Sequence, residues 1–332
     1  MTAPERIREI DAVRGLALCG ILPPNIVAMT GVHRGAPVDP GPAAHVYETL
    51  LHQRFFPLFS FLFGLGSVLF LRSARLRSDR PRDVLLARFG FLVLFGVAHQ
   101  MLQPNEILLP YALAGIAVVL PASWLPRWAT LVCGIAFTAA SLAIDQGGIT
   151  LIPGLFLLGM AAAEYDLPDL AGERGRSLAV VFAVTGAAAI ALNVWQIAGG
   201  GAAFDTPLPA TAGVVTAAAY ATGLLMLLRV PGLGGALSFV LEPLGRLALT
   251  NYITASALIL AADALLDLGE RPRVTAAAGT ALAILALQTA FSRLWLRRFR
   301  QGPLEWVWRC LTWWRLLPNA LPSTGGRTAG TG

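Results

Sequence analysis

The chain has 332 residues, of which 56% are hydrophobic and 13% charged, with a formal net charge of +6. That is roughly half the charge of a soluble globular domain and leaves too little polar surface to face water on all sides. All 25 basic residues are arginine, and they sit in alternate loops rather than on one accessible basic face, which excludes nucleic-acid binding. The absence of lysine, with the excess of Ala, Gly and Pro, points to a GC-rich bacterial genome.

A bilayer crossing takes about 20 apolar residues. On that measure the chain reads as ten transmembrane helices, about 11–31, 46–72, 84–102, 106–122, 126–144, 149–165, 177–198, 210–229, 246–266 and 274–296. Arg6 and Arg8 precede the first run like the basic start of a signal peptide, yet Arg14, Pro23, Pro24 and Asn25 interrupt it, so it reads as a retained span. The fold expected is all-α and integral to the membrane. A transmembrane domain fills residues 1–302, an amphipathic interfacial helix over 303–318 completes it, and a disordered tail occupies 319–332.

An even number of spans places both termini on one side. One set of segments holds Arg6, Arg8, Arg72, Arg75, Arg77, Arg80, Arg82, Arg88, Arg127, Arg174, Arg176, Arg229 and the cluster from Arg293 to Arg327. The other holds only Arg34, Arg271 and Arg273. Arginine-rich loops face the cytoplasm, so both termini are expected inside, in a bacterial cytoplasmic (inner) membrane.

Polar side chains within spans are the first functional candidates, because each must face a cavity or a partner. In the first span Arg14 and Asn25 are eleven residues apart, which puts them on nearly the same face and about 16 Å apart along the axis. Arg14 is either an interfacial arginine paired with Asp11 or a clamp for phosphate oxygens, which a guanidinium matches in pairs. Asn25, after two prolines, either satisfies a backbone group freed by a kink or faces a site.

The second span carries His45 and His52, seven apart and so on one face, with Arg54 just before the run FFPLFSFLFGLG. His99 ends the third span and Glu106 opens the fourth after the turn QPN, so an imidazole and a carboxylate meet across one tight loop. Such a carboxylate either orients a general base or merely ties two helices together. Tyr111 adds a hydroxyl nearby. In GRLALTNY, Arg246 and Thr250 share a face at i,i+4 spacing and Asn251 follows. Cys19, Cys133 and Cys310 have neither disulfide nor metal-ligand spacing, and no metal is expected. The tryptophans of GPLEWVWRCLTWWRLLP, interleaved with arginine, suit the headgroup level of the inner leaflet.

The strings IDAVRGLALCGILPPNI, FPLFSFLFGLG, the His99–Tyr111 stretch, GRLALTNY and WLRRFRQGPLEWVWRCLTW resemble the YeiB-like family of bacterial membrane proteins, over essentially the whole chain to Trp314. That family resembles in turn the transmembrane acyltransferase superfamily, which includes membrane-bound sugar O-acyltransferases and the lysosomal heparan-alpha-glucosaminide N-acetyltransferase. The resemblance implies a membrane-embedded acyltransferase that takes an acyl group from cytosolic acyl-CoA and gives it to a hydroxyl or amine at or across the membrane. Arg14 matches the arginine of a motif of arginine, ten residues, then histidine, but Asn25 stands at the histidine position. An asparagine cannot accept a proton.

The resemblance implies His99, which matches the YeiB-like pattern, as the base, oriented by Glu106, with His45 and His52 as the alternatives. Arg14, Arg54, Arg246 and Asn251 are expected to hold the acyl-CoA, and Asn25 or Asn251 to donate to the thioester oxygen. Partners expected are membrane lipids, a small-molecule, glycan or lipid acceptor and, in a homodimer, a second copy of the chain. The rival reading is a transporter or lipid-handling protein on the same fold, which kinked spans would suit. It has no use for CoA thioesters, whereas an accessory scaffold leaves the intramembrane polar residues without a purpose.

Overall fold

Within a bilayer, backbone donors and acceptors must pair inside each span, which only helices or closed barrels achieve. The structure, a computed structural model, describes residues 8–31, 42–144, 148–167, 175–199, 206–269 and 274–321. These residues are overwhelmingly helical, with one isolated antiparallel bridge between Phe299 and Ala320. In chain order the helices are α1 (Arg8–Thr30), α2 (Pro42–Leu50), α3 (Phe56–Arg75), α4 (Pro81–Gln100), α5 (Leu108–Ala122), α6 (Arg127–Ile144), α7 (Leu151–Glu164) and α8 (Gly175–Ala198). Then come α9 (Leu208–Leu227), α10 (Leu233–Arg246), α11 (Ala248–Leu266), α12 (Val274–Leu296) and α13 (Pro303–Thr312). A π-helical turn, Gly115–Val119, lies inside α5.

Seven of these, α1, α3, α6, α8, α9, α11 and α12, are long and apolar enough to cross a membrane. Their outward faces carry exposed apolar side chains, among them Val184, Ile190 and Val194 on α8 and Leu282 and Leu287 on α12. Water would penalise such a surface. The chain is a multi-pass membrane protein.

Lipid tails give helices no hydrophobic reason to associate, so close backbone approach takes over. Two helix pairs are built this way. A Cβ on Gly15 of α1 would overlap the carbonyl oxygen of Leu241 in α10, and one on Gly245 would overlap that of Asp11. In the same reciprocal manner Gly64 of α3 meets the Phe156 carbonyl of α7, and Gly159 meets that of Phe61. The α4–α5 hairpin is closed by Gly96 against the backbone of Leu109. Around these contacts packs a core of Leu65, Phe89, Tyr111, Phe156 and their neighbours.

The structure departs from the sequence expectations in three places. The expected span 46–72 is two helices, α2 and α3, parted where Gln53 adopts a left-handed φ of 56°. Pro57 supplies the first turn of the second, where its missing N–H costs nothing. His45 and His52 therefore do not share a helical face: His45 lies in α2, and His52 follows its end, stacked on Tyr47 and 2.7 Å from Glu48. The stretch GRLALTNY is likewise broken, since Arg246 closes the unforeseen helix α10 and α11 starts at Ala248. Finally, the tail expected to be disordered from 319 is held at its start: Arg300 N donates to Asn319 O (2.8 Å) and Leu321 N to Arg298 O (2.9 Å). The rest of that tail, with Arg6, Arg34, Arg174, Arg271 and Arg273, lies outside the described residues.

Candidate functional site

Helices α1, α3, α4, α5, α10, α11 and α13 line a cavity of about 210 Å³. Its lining includes Arg14, Arg88, Arg246, Glu305 and Trp308, and also Phe59, Phe63, Phe89, Tyr111 and Tyr252. Three cations thus share a small space with one carboxylate and a wall of rings. Arg14 pairs with Asp11 at 3.2 Å, and Arg246 donates to the Arg300 carbonyl at 3.1 Å. The Arg88 guanidinium is stacked on Trp308 at 3.6 Å and on Phe70 at 4.5 Å. Among the described residues it makes no hydrogen bond, so its N–H donors remain for a ligand.

Helix α13 closes this end of the cavity. Trp308 Nε1 donates to the Arg88 carbonyl at 2.8 Å. Glu305 accepts from both the backbone N–H (3.0 Å) and the hydroxyl (2.6 Å) of Thr250, in the first turn of α11. Burial pushes the Glu305 carboxyl up, and the two Thr250 donors partly offset this.

The aromatic wall continues inward. Phe63 stacks with Phe156 at 4.7 Å and meets Tyr111 edge-on at 5.3 Å, while the Tyr111 hydroxyl lies 2.6 Å from Ser60 Oγ. The cavity reaches Ile107, Leu108 and Tyr252. The Tyr252 hydroxyl accepts from Ile107 N at 3.3 Å, and its ring stands edge-on to His99 at 5.0 Å.

Behind Tyr252 lies a buried chain of polar side chains. His99 Nδ1 is 3.4 Å from Glu106 Oε2, and Nε2 is 2.9 Å from Ser256 Oγ. Ser256 donates to Gln103 Oε1 at 2.9 Å, and Gln103 Nε2 donates to Asn25 Oδ1 at 3.4 Å. Glu106 also accepts from the N–H groups of Leu108 and Leu109, the latter at 2.7 Å, so it caps α5 while it faces the imidazole. Close passage of α4 against α5 at Gly96 brings the pair together.

Of the candidates read from sequence, His99, Glu106 and Asn25 join this chain, and Arg14 and Arg246 line the cavity. Two others are placed elsewhere. Arg54 is 1% exposed and lines no part of the cavity; it donates to Thr49 O (3.1 Å), Pro209 O (2.9 Å), Asn193 Oδ1 (2.8 Å) and Gln196 Oε1 (2.9 Å). A guanidinium so committed fastens α8 and α9 to the α2–α3 junction and has little left to hold a cofactor. Asn251 Nδ2 donates to Leu244 O (3.2 Å) and Ser292 Oγ (3.1 Å), satisfying a carbonyl left by the α10–α11 break. It does not line the cavity.

Sequence reasoning overlooked Arg88, Glu305, Trp308, Tyr252, Ser256 and Gln103. One signal was present: Tyr252 and Ser256 stand four apart in α11, on one face. Another was in α4, where Arg88 precedes His99 by eleven residues, the spacing from Arg14 to Asn25 in α1.

Residues 170–315 match the family model described as "Protein of unknown function (DUF418)". The chain is 32% identical over 349 aligned positions to the "Uncharacterized 39.9 kDa protein in amylase 3'region" of Bacillus acidopullulyticus, with 96% of each chain covered. It is 26% identical to "Uncharacterized protein YxaH" of Bacillus subtilis (95% of this chain, 96% of the relative). To "Uncharacterized protein YeiB" of Escherichia coli it is 27% identical (93% and 96%). No solved structure matches the chain. Alignment along nearly the whole length, with the DUF418 match in the second half, shows that the chain belongs to the YeiB-like DUF418 family.

Proposed function

We propose that the protein is an acyl-CoA-dependent membrane acyltransferase, passing an acyl group to a hydroxyl or amine acceptor at or across the bilayer. The observation that carries this reading is the stacked Arg88, its N–H edge unspent, beside Arg14 and Arg246 in one cavity. On α4 that arginine lies about 16 Å from His99, and on α1 Arg14 lies about 16 Å from Asn25. Phosphates held at the arginine end would let a pantetheine arm run along the Phe59, Phe63 and Tyr111 wall toward Tyr252 and the imidazole behind it. His99 then serves as general base, with Glu106 fixing its Nδ1 side. Asn25 acts through Gln103 in this arrangement, and Asn251 takes no part.

Helices α4, α5 and α7, added to the seven long apolar helices, give ten spans. With both termini inside, the arginine cavity and α13 face the cytosol, where acyl-CoA is made, and α13 lies in the inner leaflet. The alternative, a transporter or lipid- or metabolite-handling protein without acyl transfer, would use the same cavity as a path for an anionic amphiphile.

Titration calorimetry of the detergent-purified protein with acetyl-CoA and longer acyl-CoAs separates the two. Binding in the micromolar range, lost in Arg14→Ala while the variant keeps its melting temperature, is the expected result. A folded preparation that binds no CoA species removes the acyltransferase reading and leaves the transporter.

A further inference from the structure

A carboxylate, an imidazole and a hydroxyl in hydrogen-bonded succession form the arrangement that turns serine into a nucleophile on many unrelated folds. Glu106, His99 and Ser256 stand in that order, with 2.9 Å at Nε2 and a long 3.4 Å at Nδ1 that must shorten when the site is engaged. All three are buried, and each comes from a different place in the fold: Glu106 from the loop between α4 and α5, His99 from the end of α4, Ser256 from the middle of α11. We propose that Ser256 is the acyl acceptor of the first half-reaction, so that transfer runs through a seryl ester rather than directly from acyl-CoA. This rests on the acyl-transfer reading above and replaces its single step by two.

The Ser256 hydroxyl has two acceptors within reach, Gln103 Oε1 and His99 Nε2, both at 2.9 Å. With the Nδ1 proton facing Glu106, Nε2 carries a lone pair, and rotation of the hydroxyl points its hydrogen there. The proton passes to Nε2 as Oγ attacks the thioester carbonyl carbon. The C–S bond breaks, and the CoA thiolate takes the proton from the imidazolium and departs as the thiol. The acceptor hydroxyl or amine then gives its proton to Nε2 and attacks the ester carbon. The bond from carbon to Oγ breaks, and Oγ recovers the proton. Gln103 faces Ser256 with its Oε1 and donates from Nε2 to Asn25, so its N–H groups reach the developing oxyanion only once that carboxamide turns over.

Neither Ser256 nor His99 borders the cavity, whereas Tyr252 does. Tyr252 lies a helical turn from Ser256 on the same face of α11, lines the cavity and covers His99. Among the described residues its hydroxyl has one hydrogen bond, accepted from Ile107 N at 3.3 Å and longer than the usual range. Turning that ring aside opens the aromatic wall onto the serine. A scheme of this kind also relieves a geometric demand, because donor and acceptor need not occupy the small cavity together.

Intact-mass spectrometry of the full-length protein in detergent, incubated with acetyl-CoA and quenched in acid, tests the proposal. One acetyl group per chain is expected, mapped to Ser256 by peptide fragmentation. It should be absent in Ser256→Ala, and its rate should fall roughly a hundredfold or more in His99→Gln. Ser256→Cys should carry the acetyl group as a thioester. A fluorophosphonate probe should label Ser256 in wild type and not in His99→Gln, with melting temperatures confirming that each variant is folded. Acetyl transfer with release of CoA, but with Ser256 unmodified and Ser256→Ala fully active, would overturn the seryl ester and keep direct transfer. CoA binding with neither adduct nor probe labelling would reduce the Ser256 contacts to helix-to-helix bonding. Absence of CoA binding altogether would remove both this proposal and the acyl-transfer reading.

Discussion

Arg54 and Arg88 occupy two neighbourhoods that look alike in sequence, each an arginine next to a run of aromatics and leucines, and they are used in opposite ways. Arg54 gives four hydrogen bonds to two backbone carbonyls and two side-chain amides drawn from α2, α8 and α9. Arg88 gives none to the described residues; its guanidinium lies over the rings of Trp308 and Phe70 at the wall of the cavity. The lesson is that a cation packed on rings points to a ligand when its N–H donors are left over. When its donors are consumed by neutral acceptors it is a fastening.

The largest effect that would break this contrast concerns Arg54. Arg54→Met keeps much of the stem's packing but abandons four acceptors, and losing charge-assisted bonds in a buried site costs roughly 3 kcal/mol or more. The expected result is a strongly lowered melting temperature in detergent with acyl-CoA affinity per folded molecule unchanged. A variant that melts normally but no longer binds acyl-CoA would make Arg54 a ligand residue after all. For Arg88 the expectation is reversed. Arg88→Gln should weaken acetyl-CoA binding about tenfold, or about 1.4 kcal/mol, with a melting temperature close to wild type; unchanged affinity would take Arg88 out of the site.

The smallest effect concerns Glu305, the carboxylate beside these cations. Its carboxyl is pushed up by burial, so the folded protein retains a proton that the unfolded chain releases near pH 4.3. The stabilisation from that retained proton is complete below the unfolded value and is lost as pH rises through the raised folded value. A series of melting temperatures from pH 4 upward should show this decline in wild type and a flatter course in Glu305→Gln. Parallel curves would mean that Glu305 does not titrate in that window.

How far the site was legible depends on whether its members were close in sequence. His99 and Glu106 are separated by one turn, and the loop QPN is too short to keep their side chains apart. Arg14 and Asn25 lie on one helix at a spacing that helical geometry alone converts into a shared face. Ser256 and Gln103 are 153 residues apart, and a lone serine in an apolar helix is indistinguishable from the many that bond back to their own backbone, as Ser60 and Ser67 do. Arg88 was grouped with loop arginines because charge bias reports the side of a membrane and not the depth of a side chain.

By itself the sequence determined that the chain is a multi-pass, all-helical membrane protein, because apolar length and the need to pair backbone groups in lipid are local properties. It also determined most expected helix limits, since α5, α6, α7, α8, α9, α11 and α12 begin and end within about two residues of their expected bounds. Tertiary structure decided the rest. At the break before Gln53 a carbonyl of α2, that of Leu50, is taken by the distant Tyr220 hydroxyl. Whether an arginine fastens or binds depends on acceptors brought in by other helices. Glycine-to-carbonyl contacts at Gly15, Gly64, Gly159 and Gly245 set those neighbours, and such pairings between helices follow from shape over long sequence separations, which no local pattern records.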